Sequence, residues 1–262
     1  MLVTNLRALR VGEGDQVIVA DNSEEAVVPQ EALLEVVRVT GRPSARRARN
    51  EGARRAANGW LLFLDGDCRP DPSLLDLYFS PEPEERGGVM AGEVIGDDSQ
   101  PCAFARWARS RRGLMARYHV EGEGRPAGIA GNLMVRRQAW ERTGGFEEDA
   151  RSEADVDLCW RIQEAGWGLE YRPRALVVHR DPETLGAVLR QAWTYGAGKR
   201  WLRGRWGTAV DPPRLFGPLV RALGGGLVWT LTARFERALF KLIDGLAAGA
   251  SWLGYQAARR RR

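Results

Sequence analysis

The strongest hydrophobic signal in the sequence is an unbroken run of five apolar residues, 60–64, which stops at two aspartates. Asp65 and Asp67 follow directly and are separated by a single glycine. A short continuous apolar run predicts a strand that is buried on both faces, as in a parallel sheet. Because Pro70 and Pro72 follow, the strand is expected to end there. We therefore predict two carboxylates at the carboxyl end of a parallel strand, where open α/β sheets bind ligands.

The rest of the chain alternates short apolar runs, typical of strands, with segments of helical periodicity. Strands are predicted at residues 16–20, 36–39, 88–95, 128–135, 167–171 and 175–179. Helices are predicted at residues 2–10, 44–58, 73–79, 101–117, 137–143, 154–165, 183–202 and 238–255. This alternation indicates an α/β fold. Residues 215–233 are mostly apolar, but glycine and proline interrupt them, so we do not predict a transmembrane helix there.

The composition is that of an ordinary globular protein, and its charge is basic. The 262 residues carry a formal net charge of +5, with 28% charged and 44% hydrophobic residues. A basic balance is compatible with nucleic acid, an anionic membrane surface or phosphorylated substrates. The cysteines, Cys68, Cys102 and Cys159, are widely spaced and form no CxxC pair. This argues against a zinc site or disulfide framework and favours a reducing compartment.

The two aspartates at the end of the apolar run are candidate metal ligands. Carboxylate oxygens suit Mg²⁺ or Mn²⁺, which take few protein ligands and leave other positions to phosphate and water. The alternative is a plain acidic turn, since Asp-Gly is also a common turn signal. His179 ends another predicted strand. A lone histidine is more often structural, but imidazole near two aspartates would favour Mn²⁺ over Mg²⁺.

Three further polar positions are candidates for binding or catalysis. Asp21 follows the strand at 16–20, where it could contact a nucleotide base or ribose, or form only an Asx turn. Arg49 belongs to an arginine-rich helix face, which is either a solvated surface or a diphosphate contact. Asp155 begins a helix and has capping-box spacing from Ser152. A carboxylate fixed at a helix start also suits a general base, and the two interpretations are compatible.

The order of several segments resembles a family 2 glycosyltransferase with the GT-A fold, from residue 5 to about residue 202. The segments that carry this resemblance are ADNS, ARNEGARRAANGWLLFLDGD, GIAGNLMVRRQAWERTGGF, EADVDLCWRIQEAGW, LEYRPRALVVHR and LRQAWTYGAGKRWL. The resemblance implies a Rossmann-like α/β domain at 1–205, with a mixed, mostly parallel sheet flanked by helices. The helical pattern of residues 206–262 is then expected to form a C-terminal appendage.

The resemblance implies an inverting transfer of sugar from a nucleotide-diphosphate donor to an acceptor hydroxyl, assisted by a divalent metal, Mg²⁺ or Mn²⁺. Asp21 then resembles the residue that contacts the nucleotide base, and Arg49 a basic residue near the nucleotide. Asp65 and Asp67 match the DxD motif for metal and diphosphate. Asp155 matches the family's catalytic base, which deprotonates the acceptor hydroxyl. His179 matches a histidine that in some members helps to hold metal or diphosphate.

Two departures from the family pattern leave alternatives open. Ala154 occupies the first acidic position of the ED motif, so Glu153 is an alternative base, although we favour Asp155. The family also opens with an apolar strand, whereas this chain begins within the following helix. Neighbouring strands would then leave backbone groups unpaired or pair directly. We therefore expect either that the true start lies upstream or that the chain is a catalytically impaired nucleotide-sugar-binding or partner-binding remnant.

The expected partners are a nucleotide-diphosphate sugar and a carbohydrate or lipid-linked acceptor. Apolar helices followed by the basic tail Arg259–Arg262 favour peripheral contact with an anionic membrane or, alternatively, a helical lid on the catalytic domain. We expect a cytoplasmic protein, with the inner face of the cell membrane as the site of contact. No nucleic-acid partner is expected, because the arginine-rich helices lack interleaved aromatic residues for base stacking.

Overall fold

The computed structural model describes residues 2–25, 34–111, 113 and 115–258 of the chain. Its strands are β1 Ile18–Asp21, β2 Glu35–Arg38, β3 Trp60–Leu64, β4 Cys68–Pro70, β5 Gly87–Gly96, β6 Asn132–Arg136 and β7 Gly168–His179. Its α-helices are α1 Leu2–Ala8, α2 Ala45–Arg55, α3 Leu74–Tyr78, α4 Ala103–Arg111, α5 Ala116–Val120, α6 Arg137–Thr143, α7 Ala154–Glu164, α8 Leu185–Trp206, α9 Phe216–Leu231 and α10 Phe235–Ala257. The predicted basic tail Arg259–Arg262 lies outside the described residues.

The chain forms two compact units. The first unit comprises residues 1–95, 114–149 and 154–179, and the second comprises residues 96–113, 150–153 and 180–262. This grouping by contact does not follow the predicted domain boundary after residue 205, because α8 groups with the C-terminal helices. The division into a catalytic domain at 1–205 and a C-terminal segment at 206–262 remains a prediction.

The first unit contains both parallel and antiparallel strand pairs, accompanied by helices, which confirms the α/β class. Within the described ranges, β1 and β2 pair in parallel, and a separate sheet has the order β3-β6-β5-β7-β4. β6 is antiparallel to both β3 and β5, and β4 is antiparallel to β7. A mostly parallel sheet was predicted, whereas these three strand pairs are antiparallel. Direct pairing of β1 with β3 is not observed between these described strands.

The strand before the two aspartates corrects the first sequence prediction. β3 is antiparallel to β6 and has alternating burial, with Leu61 and Phe63 buried. The prediction of a parallel strand is therefore wrong, and the predicted burial on both faces is complete on one face only. The apolar side chains on its other face are only partly buried, although they pack against a hydrophobic core. Pro70 does not exclude a further strand, because β4 is at a sheet edge and ends at this proline.

Two other strand predictions differ from the structure. Residues 128–131 form a turn before β6 instead of the start of a strand, and the Asn132 amide donates to the Ile129 carbonyl at 2.9 Å. β7 runs without a break over residues 168–179, where two strands were predicted. The exposed Pro173 lies outside the stretch of β7 that pairs with β4, so its missing amide proton does not interrupt that ladder.

The segment predicted as one helix over residues 101–117 instead contains parts of two helices, α4 and α5. The apolar segment 215–233, which was expected to belong to a helical C-terminal appendage, contains α9. Pro218 is compatible with that helix because it lies in the first turn, where amide protons have no helical acceptor. Within the described residues, no helix is both long enough and apolar enough to cross a membrane.

A buried asparagine fixes the start of β6. Asn132 is fully buried, and its amide nitrogen donates to the carbonyls of Glu93 (3.0 Å) and Ala175 (2.8 Å). The Tyr78 hydroxyl donates to both the Asn132 side-chain oxygen (2.8 Å) and the Asn132 carbonyl (3.0 Å). These bonds connect α3, β5, β6 and β7 and satisfy polar groups that are expensive to bury alone. The turn at 128–131 therefore leads into a rigid position in the sheet.

In the second unit, α8 and α10 pack closely through glycine. A Cβ atom on Gly196 would overlap the Ser251 backbone, and one on Gly254 would overlap the Trp193 backbone. The two helices therefore depend on glycine at both contact points, because any side chain there would separate their backbones.

Tyr78→Phe tests the connection at Asn132. The substitution removes a fully buried hydroxyl that reaches two Asn132 acceptors, so we expect the free energy of unfolding to fall by about 1–2 kcal/mol. Denaturant unfolding monitored by circular dichroism measures the change.

The matched control is Tyr118→Phe, because Tyr118 is 49% exposed. We expect that substitution to change stability by less than about 0.5 kcal/mol. Equal stability of the Tyr78 variant and the wild type would contradict a structural role for its hydroxyl.

Candidate active site

The two aspartates of the DGD motif lie in a turn that joins β3 to β4. The Cys68 amide donates to the Asp65 carbonyl at 3.0 Å and closes this turn. The Asp65 and Asp67 side chains are 37% and 49% exposed, so both carboxylates remain accessible to a ligand. Burial, together with these carboxylates, raises the pKa of the Cys68 thiol far above its ordinary value. Cys68 is therefore a protonated, buried neighbour of the acidic turn.

Arg49 on α2 forms an ion pair with the Asp65 carboxylate. Its guanidinium also lies 5.6 Å from the centre of the Phe146 ring, within cation–π range. Phe146 is itself fixed by Asn50, which accepts from the Phe146 amide at 2.9 Å and donates to its carbonyl at 2.8 Å. The arginine is thus held beside the acidic turn by a defined set of neighbours.

His179 approaches the same turn from the end of β7. It lies opposite Cys68 in the β4–β7 ladder, and its Nε2 is 3.4 Å from Asp67 Oδ2. Its Nδ1 atom is buried and has no hydrogen-bond partner. The 3.4 Å between His179 Nε2 and Asp67 Oδ2 would allow both atoms to contact a single ion.

Asp67 and His179 are candidate ligands for a divalent cation. The described residues contain no group of three or more histidine, cysteine, aspartate or glutamate side chains arranged to hold a metal. A carboxylate and an imidazole nevertheless fit an ion that takes its remaining ligands from phosphate and water. The donor set therefore suits an ion that binds together with a diphosphate, and not one enclosed by protein.

Asp155, the second residue of α7, is fixed by two backbone amides. Its Oδ2 accepts from the Ala130 amide at 3.0 Å, and its Oδ1 accepts from the Val156 amide at 3.0 Å. The predicted capping partner, Ser152, instead donates its hydroxyl to the Thr194 carbonyl at 3.1 Å. The carboxylate is half-buried and fixed in orientation, and each oxygen retains acceptor capacity.

The turn before β6 brings the two acidic segments together. A Cβ atom on Gly131 would lie 3.4 Å from Asp65 Oδ2 and 3.8 Å from Cys68 Sγ. The preceding residue, Ala130, donates its amide to Asp155. Asp65 and Asp155, 90 positions apart in sequence, therefore flank the same dipeptide.

Glu153, the alternative base, has a different setting. Its backbone has a φ of 64°, a left-handed conformation that is unusual for a residue other than glycine. A Cβ atom on Gly198 would lie 3.0 Å from its Cγ, so the Glu153 side chain packs beside α8 in the second unit.

Asp21 ends β1 and is almost fully buried. Its Oδ2 pairs with Arg38 Nη1 at 2.8 Å, while its Oδ1 accepts from the Ser23 amide (3.0 Å) and hydroxyl (2.5 Å). The structure therefore contains the Asx turn that the sequence left open. α2 packs closely on this strand, because a Cβ on Gly52 would lie 3.7 Å from that of Ala20.

Three supporting residues were not predicted from the sequence: Ala130, Asn132 and Phe146. Only the glycines around Ala130 gave a signal, since they permit close approach of the backbone. The other two residues act through contacts with distant segments, such as the pairing of Phe146 with Asn50, 96 positions earlier.

Comparison with known proteins assigns a family to the chain. Residues 60–253 match the glycosyl transferase family group 2. The chain is 28% identical, over 237 residues, to the pre-mycofactocin glycosyltransferases of two Mycobacterium tuberculosis strains, covering 88% of this chain and 48% of each relative. It is 24% identical to glycosyltransferase AglE of Haloferax volcanii, covering 63% of this chain and 54% of AglE. The chain thus spans about half the length of the curated relatives it matches.

Two solved structures are also similar. Mannosyltransferase PcManGT from Pyrobaculum calidifontis, in complex with GDP-Man and Mn²⁺, is 16% identical with a TM-score of 0.48; the match covers 87% of this chain and 58% of that one. The catalytic domain of Drosophila β1,4galactosyltransferase 7, in complex with xylobiose, is 17% identical with a TM-score of 0.34; the match covers 53% of this chain and 49% of that one.

Cysteine reactivity tests the environment of the acidic turn. Cys68 and Cys159 are buried, and burial raises the pKa of Cys159 to about 12, whereas Cys102 is only half-buried. Because the thiolate is the reactive form, we expect iodoacetamide at pH 8 to modify Cys102 first, with Cys68 and Cys159 reacting only after unfolding. Peptide mass spectrometry after timed alkylation identifies the modified residue.

Alkylation of the chain in denaturant is the control, because all three thiols should then react. Modification of Cys68 at the rate of Cys102 in the folded protein would show that the Cys68 side chain is accessible to solvent and not buried.

Proposed function

Because this chain belongs to the glycosyl transferase family group 2, we propose that it transfers a sugar, with inversion, from a nucleotide-diphosphate donor to an acceptor hydroxyl. The observation that carries this proposal is the convergence of two acidic segments on the Ala130–Gly131 dipeptide. One segment offers accessible carboxylates for a charged donor, and the other offers a single oriented carboxylate. An inverting transfer needs these two functions side by side.

Asp155 is the proposed base. It removes the proton from the acceptor hydroxyl as the acceptor oxygen forms a bond to the anomeric carbon. The bond from that carbon to the diphosphate oxygen breaks, and its electron pair leaves with the nucleoside diphosphate. The two amides that bind Asp155 support this role, because they fix the direction of the carboxylate before the acceptor arrives. Glu153 is less suited, since it packs beside α8.

The donor diphosphate is proposed to bind at the DGD turn. Asp67 and His179 would hold a divalent ion, Mg²⁺ or Mn²⁺, whose bound charge would stabilise the negative charge that develops on the leaving group. Asp65 orients Arg49 through their ion pair, and this guanidinium provides a further contact for phosphate. The accessibility of both aspartates supports this assignment, because a ligand must reach them.

Asp21 is proposed to lie at the nucleotide base or ribose. Its carboxylate already has three partners, supplied by Arg38 and Ser23, so it is a rigid group and not a mobile one.

The proposed acceptor is a carbohydrate or lipid-linked sugar, reached by peripheral contact with the inner face of the membrane. The separate β1–β2 sheet favours one second candidate, a chain that binds the nucleotide sugar without turnover.

Calorimetric titration tests the donor site. The purified chain is titrated with a panel of nucleoside diphosphates, first with Mn²⁺ and then with EDTA. We expect one nucleotide to bind in the presence of metal and to lose affinity in EDTA, because the ion joins the acidic turn to the diphosphate. Binding without sugar transfer to any acceptor would favour the second candidate, and the absence of all binding would contradict both.

Asp155→Asn separates catalysis from binding. The amide keeps the shape of the side chain but cannot accept the acceptor proton, so we expect kcat to fall by about 10²–10⁴-fold with the donor Kd unchanged. Asp149→Asn, an exposed change in the same unit, is the control and should leave both values unchanged. Full transfer activity in Asp155→Asn would show that this residue is not the base, and Glu153→Gln would then be the next variant.

Asp67→Ala should have the opposite signature. Removal of this carboxylate takes away one of the two protein ligands proposed for the ion. We expect donor binding in Mn²⁺ to weaken by about tenfold or more, while binding in EDTA stays at the wild-type level. Calorimetry under both conditions measures the difference, and equal losses with and without metal would contradict a metal-linked role.

A further inference from the structure

Two helices of the second unit expose an unusual number of large apolar side chains. On α9 these are Phe216, Leu219, Val220, Leu223, Leu227, Val228 and Leu231. On α10 they are Phe235, Leu239, Leu242, Leu246 and Leu253. Their exposed fractions range from 37% for Leu239 to 81% for Phe216. Exposed apolar residues are normal when scattered singly, whereas a contiguous set indicates an interaction surface.

The exposed residues follow helical spacing and form a stripe on each helix. On α10 successive members are separated by four, three, four and seven positions, which places them on one side of the helix. On α9, Phe216, Leu223, Leu227 and Leu231 keep the same kind of spacing. Each helix is therefore amphipathic, with an apolar stripe that remains exposed.

α9 and α10 form an antiparallel hairpin. A Cβ on Gly245 would lie 2.9 Å from that of Ala222, and a Cβ on Gly225 would lie 3.1 Å from Lys241 Cδ. Moving forward along α9 from Ala222 to Gly225 thus corresponds to moving backward along α10 from Gly245 to Lys241. A short connection between the two helices fits this arrangement.

The two stripes lie on the same side of this hairpin. Leu223 follows the contact residue Ala222, and Leu246 follows the contact residue Gly245, so each stripe is turned by a similar angle in the same sense from the helix contact. The two helices face each other and run in opposite directions. A rotation of the same sense along each chain, starting from the helix contact, therefore turns both stripes towards the same side of the hairpin. We call this surface the α9–α10 apolar face.

The helical hairpin carries more positive than negative residues. Residues 216–257 contain four basic residues, Arg221, Arg234, Arg237 and Lys241, and two acidic ones, Glu236 and Asp244. Both acidic residues pair with arginines of α4: Glu236 with Arg106 at 2.7 Å and Asp244 with Arg111 at 2.6 Å.

At the end of the hairpin, two of the basic residues stack on an aromatic ring. The guanidinium groups of Arg234 and Arg237 lie 5.3 Å and 4.9 Å from the centre of the Trp229 ring. Tryptophan and arginine both suit a membrane–water interface, where an apolar ring and a charged group can be satisfied together.

We propose that the α9–α10 apolar face lies in the plane of an anionic phospholipid surface. Neither helix can span a bilayer, because α9 has 16 residues and a length of about 24 Å, less than the hydrocarbon thickness, and α10, with 23 residues, is not apolar enough. A second copy of the chain is a poorer occupant, because its basic hairpin would repel this one, whereas acidic lipid headgroups attract it. The inference rests on the proposed function, in that a membrane position brings the enzyme to a lipid-linked acceptor.

Vesicle flotation of the full chain tests this proposal. We expect the chain to float with vesicles of phosphatidylcholine mixed with phosphatidylglycerol, to bind weakly to phosphatidylcholine alone, and to be released partly by high salt. Leu227→Glu or Leu242→Glu, each on the apolar face, should lower the partition coefficient by about tenfold or more. Val11→Glu, at an apolar residue that is 39% exposed outside the face, should bind as the wild type does.

Failure of the wild-type chain to float, or equal flotation of all variants, would overturn the proposal. Sedimentation without vesicles gives the competing outcome, because a dimer that Leu227→Glu dissociates would identify a second copy as the occupant. Flotation uses no nucleotide or metal. Its failure is therefore distinguishable from failure of nucleotide binding in calorimetry, which would count against the proposed transfer reaction.

Discussion

The hydrogen bond from the Ala130 amide to the Asp155 carboxylate is the constraint on which the candidate site depends. It fixes a carboxylate at the start of α7 to the turn before β6. That turn also approaches the DGD carboxylates, because Gly131 has no side chain to separate it from Asp65. Asn132 makes the arrangement rigid, since its buried amide connects the next strand to two others. One backbone segment therefore sets the relation between two acidic groups.

Much of the fold was predictable where the signal was local. The apolar run at 60–64 correctly placed β3 and the turn at Asp65 and Asp67. The direction of that strand was not predictable, because it depends on pairing with β6, whose residues lie about seventy positions away. Residues 128–131 were predicted as strand because their apolar and glycine pattern fits a strand. The contact that holds them outside the strand also comes from a distant segment, since the Ala130 amide donates to Asp155 at the start of α7.

The second unit shows the limits of composition in another way. The sequence showed that residues 215–233 are apolar, but not whether their side chains are buried. In the structure, small residues such as Ala222 and Gly245 meet at the helix contact, and the large side chains remain outside it. Glycine at 196 and 254 likewise permits the close packing of α8 and α10. Small residues thus determine which face of each helix is available for another partner.

The two acidic segments also differ in how firmly they are held, and this difference suits their proposed roles. Asp155 has both oxygens engaged by backbone amides, so its direction is fixed before any ligand binds. Asp67 is 49% exposed and lies 3.4 Å from His179, a separation that an ion and a diphosphate can adjust. A base gains from a fixed orientation because proton transfer needs defined geometry. A metal ligand instead must accommodate substrate oxygens in the same shell, so a fully rigid carboxylate would be a disadvantage.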